Sequence, residues 1–177
     1  MSKTDFKTWY DSEENPSRRS QTIGENTYRL VHIPKSLLAL REAGVNSNDS
    51  VIKATEEHYS ELEYFQLEIG GNQNGELLKQ NLTDVAEYNR RVTYCAFDMQ
   101  QDIHLVTDGQ DSIPCALFHF ERAYDVAPVG NFMIAFDKKR IATAKKITLV
   151  FTDNLFKNGI VKFSYLKEEL LASPQMK

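Results

Sequence analysis

Polar and apolar positions change their period several times along the chain, and each change marks an element. Residues 1–24 are polar and rich in turn formers, with Asn15-Pro16-Ser17 and Gly24 as breakers. They read as a tether or loosely packed arm, with Phe6, Trp9 and Tyr10 as docking points on the body. TYRLVHIP alternates as a strand, with Tyr28, Leu30 and His32 on one face and Val31 and Ile33 on the other, and Pro34 stops it. Ser36 stands where it would cap a short helix through Leu37, Leu38, Leu40 and Arg41, closed by Gly44. The NSNDS cluster opens a second helix, with Val51, Thr55, His58 or Tyr59, and Leu62 at helical spacing. EYFQLEIG returns to period two, Tyr64 opposing Phe65, Leu67 and Ile69, and GGNQNG is a turn. A third helix runs from a Thr83-Asp84 cap through Val85, Ala86, Tyr88 and Val92.

From about Thr93 to Tyr165 the pattern is β throughout: TYCAFDM, DIHLVT, CALFHFER, NFMIAFD, KITLVFTD and IVKFSYL. Ile147, Leu149 and Phe151 share one face, as do Val161, Phe163 and Tyr165. Short alternating strands separated by Gly, Pro, Asp and Asn predict an α+β, β-dominant fold. The expected architecture is an antiparallel β-sandwich or half-open barrel with two or three short helices mainly in the N-terminal half. The polar arm covers 1–24 and a single β-rich domain covers 25–177. The tail LKEELLASPQMK reads as a short helix or an extended end.

Composition adds bounds. The 177 residues suit one domain, and 41% hydrophobic with 26% charged residues is a globular balance. A net charge of −4, with no basic run longer than Lys138-Lys139-Arg140, gives no basis for nucleic-acid binding. No apolar run approaches the ~20 residues needed to span a bilayer. MSKTDFKTWYDSEENPSRR lacks the apolar stretch of a signal peptide. Strand parity sets Cys95 beside Phe97 and Met99, and Cys115 opposite Phe118 and Phe120, so buried free thiols are expected rather than a disulfide.

Candidate chemistry is sparse. His32, His58, His104 and His119 form no HxH or HxxxH pair, and no metal is expected; only a three-dimensional grouping of His104, His119 and Asp102 stays open. No phosphate-binding glycine motif and no nucleophile motif occur, and no cofactor is expected. One constellation stands out. In HFER, His119 and Glu121 share a strand face, with Asp98 and Asp102 one or two strands earlier, so an imidazole–carboxylate pair for acid–base work is geometrically feasible. The aromatics alternate as core residues do.

The blocks AEYNRRVTYCAFDMQQDIHLV, DSIPCALFHFERAYDVAP, NFMIAFD and KITLVFTDNLFKNGIVKF, in that order, resemble an uncharacterised family of Bacteroidetes outer-membrane or periplasmic lipoproteins. The likeness runs from about WYDSEENPSRRSQTIGENTYRL to near the end. It implies a location in the cell envelope and a lipid-modified cysteine ahead of the arm, where Met1-Ser2-Lys3 stands here. The membrane is then met only through that anchor, and an envelope protein or glycan is the implied partner. Asp49-Ser50-Val51 and Asp111-Ser112-Ile113 look like the short O-glycosylation sequence of exported proteins of that phylum, at Ser50 and Ser112. The family carries no known activity. The expected function is an envelope-tethered binding or structural module. Two other readings remain open: a hydrolase-type enzyme using His119 with Glu121 or Asp102, and an interaction subunit of a surface complex.

Overall fold

The computed structural model describes residues 1–122, 128–172 and 174. Residues 123–127, within the block that carries part of the likeness, and the end of the C-terminal tail lie outside the described residues.

Alternating strands build two antiparallel sheets. One contains β1 (Arg19–Ile23), β2 (Asn26–Ile33), β3 (Leu62–Gly70), β6 (Leu117–Glu121) and β7 (Val129–Asp137). The other contains β4 (Ile103–Thr107), β5 (Ser112–Pro114), β8 (Lys146–Asp153) and β9 (Gly159–Leu166). Their spatial orders are β1-β2-β3-β7-β6 and β5-β4-β8-β9. The inward faces meet in one core, where Leu30, Phe65, Leu67 and Phe132 pack against Leu105, Leu149, Phe151 and Phe163. Phe65 and Tyr165 span the gap with ring centroids 5.8 Å apart. Burial of this apolar surface is the main force holding the sheets together.

The outer faces differ. That of the four-stranded sheet is polar, as in the 2.8 Å hydrogen bond between the hydroxyls of Thr148 and Ser164. That of the five-stranded sheet is partly covered by α1 (Lys3–Asp11) and α2 (Lys35–Ala43). There Phe6, Tyr10, Leu37 and Leu38 pack on Val31, Ile33, Tyr64 and Ala135. The fold is therefore an α+β sandwich with open edges and no closed barrel among the described residues. Strand and helix contents are nearly equal, 36% and 35%. Helix is more abundant than the sequence pattern suggests, for two reasons.

The first lies in residues 1–24, which do not form a loose arm. Ser2 caps α1, its Oγ accepting from the Asp5 amide at 3.2 Å, and Phe6 and Tyr10, one helical turn apart, are buried. Three aromatic residues in nine, Phe6, Trp9 and Tyr10, make too thin a stripe to stand out among charges. Residues 19–23 then add an edge strand, with Arg19 opposite Leu30 and Ile23 opposite Asn26.

The second is TYCAFDM, which is not a strand. Asp84 caps α4 (Val85–Thr93), accepting from the Glu87 amide at 2.8 Å. The helix continues through a π-helical turn at Tyr94–Asp98 and a 3-10 turn at Met99–Asp102. No Gly or Pro interrupts the run from Asp84 to Asp102. Cys95 and Met99, four apart, face the core, while Phe97 is 75% exposed. The spacing fits both periods, and the cap upstream decides between them.

Smaller helices follow their caps. Pro34, not Ser36, occupies the N-cap of α2, and Gly44 ends it at φ 89°, a conformation that favours glycine. Asn48 caps α3 (Asp49–Glu56), which buries Ile52 and Thr55 and leaves Val51 outside. α5 (Lys138–Ile141) follows β7 and α6 (Lys167–Leu171) follows β9. Cys95 and Cys115 are both free and both in the inter-sheet core. Cys115 points inward because the chain crosses between sheets there, so strand parity does not carry through. Burial pushes the Cys95 thiol up to about 12 and the Cys115 thiol up to about 11. Among the described residues no helix is long and apolar enough to cross a membrane.

Candidate functional site

Five element ends converge at one end of the sandwich: the end of β2, the start of β3, α5 after β7, the start of β8, and α6 after β9. A cavity of about 340 Å³ lies between them. Its walls are apolar, from Ile33, Leu62, Ile141, Ile147 and Leu170. Lys35, Lys138, Lys145, Lys146 and Lys167 also line it, against a single carboxylate, Glu63. On a chain with net charge −4 this is a local reversal of sign.

The polar centre of the cavity comes from two inward strand positions. His32 follows Leu30 on the inner face of β2, and Glu63 precedes Phe65 on the inner face of β3. The register sets His32 opposite Phe65, making Glu63 its diagonal neighbour. His32 is 4% exposed, and its Nε2 donates to Glu63 Oε1 at 2.5 Å. Its ring meets Phe65 edge-on at 5.5 Å between centroids. The other ring nitrogen, Nδ1, is buried with no hydrogen-bond partner among the described residues.

Burial by itself raises the Glu63 carboxyl. The hydrogen bond from His32 and the charges of His32, Lys138 and Lys167 outweigh it and hold the group below the usual carboxylate range. Lys138 Nζ lies 3.8 Å from Glu63 Oε2, and Lys35 Nζ lies 3.6 Å from Glu56. The Lys167 ammonium donates to the Ala142 carbonyl. The ammonium groups of Lys145 and Lys146 have no side-chain partner among the described residues. Charge supplied by this rim thus exceeds the single carboxylate that answers it.

The chain matches no family model, no curated protein and no solved structure.

The candidates from HFER lie elsewhere and apart. His119 and Glu121 are exposed on the outer face of edge strand β6, opposite Met133 and Asn131, and make no hydrogen bond to each other. Asp102, at the end of the 3-10 turn just before β4, accepts from Tyr94 Oη at 2.7 Å and from Asn154 Nδ2 at 2.9 Å. His104 is on the outer face of the other sheet, so His104, His119 and Asp102 do not form one site. Arg122 turns to Glu76 and to the Tyr88 hydroxyl. Among the described residues no group of three or more His, Cys, Asp and Glu side chains is placed to hold a metal ion. Ser50 and Ser112 are both at the surface, the first bonded to Asn48 Oδ1 at 2.7 Å, the second beside Arg140.

Sequence reasoning passed over His32, Glu63 and the lysines. A signal was there. His32 shares a face with Tyr28 and Leu30, and Glu63 shares one with Phe65 and Leu67, so each puts a polar group at an inward strand position. Lys138 belongs to a short basic run that reads as solvated surface until α5 turns it towards Glu63.

Proposed function

We propose that the protein is a binding module whose inter-sheet cavity takes a small amphipathic anion, a carboxylate or similar headgroup on an apolar tail. The observation that carries this is the pairing of apolar walls with a lysine rim around His32 and Glu63. The walls would gain by covering the tail, and the lysines by charge-assisted hydrogen bonds to the headgroup. About 340 Å³ falls within the ordinary range of small-molecule sites. The likeness to exported lipoproteins supports setting this role in the cell envelope, with a lipid anchor ahead of α1.

Titration calorimetry with decanoate, a medium-chain fatty acid anion, tests the reading. Decanoate binds with one-to-one stoichiometry, and decanol binds more weakly. The Lys145→Ala/Lys146→Ala variant loses about 10-fold in affinity, the effect of two partly exposed charge pairs at ~0.5–1 kcal/mol each. Equal binding of decanoate and decanol, or no binding of either, would contradict it.

A further inference from the structure

The opposite end of the sandwich holds a second concavity, of about 380 Å³ and different chemistry. Its walls come from the β1–β2 turn, the segment before α4, α4 itself and the β8–β9 turn. Four amides line it: Asn26, Gln80, Asn81 and Asn158. We propose that this is a binding site for a neutral polyhydroxylated ligand of saccharide type.

The amides are organised and incompletely used. Asn26 Nδ2 donates to Gly70 O and to Gln80 Oε1, each at 3.2 Å. Asn158 Nδ2 donates to Asn26 Oδ1 at 2.9 Å and to Tyr28 Oη at 2.8 Å. Asp153, 2% exposed, fixes the β8–β9 turn by accepting from the Leu155, Phe156 and Asn158 amides. Gln80 is 5% exposed as a whole residue, but its Nε2 donates to no protein group among the described residues and stays accessible. The Asn158 Oδ1 and the Arg91 Nη2 likewise have no partner among the described residues. These atoms reach the surface of the concavity, so they are hydrated when it is empty and free to bond a ligand's hydroxyls. Rigid amides offering a donor and acceptors side by side suit vicinal hydroxyls, which both give and accept hydrogen bonds.

The Arg90 and Arg91 charges at this end are answered by Glu87, and Glu25 and Lys157 add one charge of each sign to the lining, so no cluster of unengaged cations awaits an anion. Glu87 takes both Arg90 and Arg91, Arg90 through paired bonds of 2.8 Å and Arg91 at 2.9 Å. The bonds from Arg90, outweighing the effect of burial, and those from Arg91 hold the Glu87 carboxyl down at about 2, so it stays ionised and engaged. Arg91 Nη1 is spent on the Leu78 and Gln80 carbonyls at 3.0 and 2.6 Å. Phe156 adds an apolar edge, with the Arg91 guanidinium 5.1 Å from its ring centroid. Asn81 and Lys157, both on this wall, have positive φ of 49° and 64°, so the loops are held in conformations that most residues avoid.

Two-dimensional 15N NMR of the full chain titrated with glucose, galactose, mannose and N-acetylglucosamine is the test, read at the side-chain amides of Asn26, Gln80 and Asn158. At least one sugar produces saturable shifts there at millimolar concentration. Gln80→Glu keeps the oxygen that Asn26 uses and removes the free donor, and binding weakens about 10-fold while the rest of the spectrum stays folded. The wild-type titration stands whether or not the variant folds. The proposal is overturned if no sugar shifts these amides, if shifts fall elsewhere on the molecule, or if inorganic phosphate binds there and sugars do not.

Discussion

Glu63 is held ionised between His32 on β2, Lys138 on α5 and Lys167 on α6, and the native state binds a proton at this carboxyl less readily than the unfolded chain does. Its contribution to stability is therefore present above its ordinary value of 4.5 and is lost as pH falls through the lower folded value. Glu63→Gln should cost on the order of 2 kcal/mol at neutral pH, because a buried imidazole loses its charged acceptor. Below that ordinary value the difference between wild type and variant should shrink. Thermal denaturation across the acid range checks this: parallel pH profiles for the two proteins would show that the His32–Glu63 pair is not linked to folding. The pair was within reach of the sequence as two polar residues on inward strand faces. Its distance and its isolation from water were not, since they depend on how β2 and β3 align and on which helices close the end.

Elements were legible where one signal dominated. β3, β8 and β9 follow their alternation, and α4 follows its Asp84 cap. They were misread where two signals competed. The spacing of Cys95, Phe97 and Met99 satisfies a strand, but the helix begun at Asp84 runs on because nothing stops it. At the N-terminus the apolar content was too low to show that α1 belongs to the body. The structure makes a specific claim there: Phe6 is buried between α1 and the five-stranded sheet. Phe6→Ala should destabilise the protein by about 3–5 kcal/mol, the cost of an aromatic cavity in a core. Urea denaturation measures it, and a cost near zero would restore the reading of residues 1–24 as a tether.

At the scale of the whole molecule, strands β2 and β8 each link two chemically different ends. β2 begins at Asn26 in the amide-lined concavity and finishes beside the lysine-rimmed cavity with His32 and Ile33. β8 begins at Lys146 on that rim and finishes at Asp153, which fixes the turn at the other end. The core between them is apolar and continuous, so the two concavities lie at opposite ends of one core. His119 and Glu121, on the exposed edge strand, belong to neither.

Mapping decanoate by methyl-detected NMR on the wild-type chain tests the central claim most directly, because it reports where the ligand sits as well as whether it binds. The account predicts saturable shifts of the Ile33, Leu62, Ile141, Ile147 and Leu170 methyl groups, with those of Leu77, Leu78 and Val85 unmoved. Shifts spread over the exposed surface, or none at the five cavity residues, would contradict it.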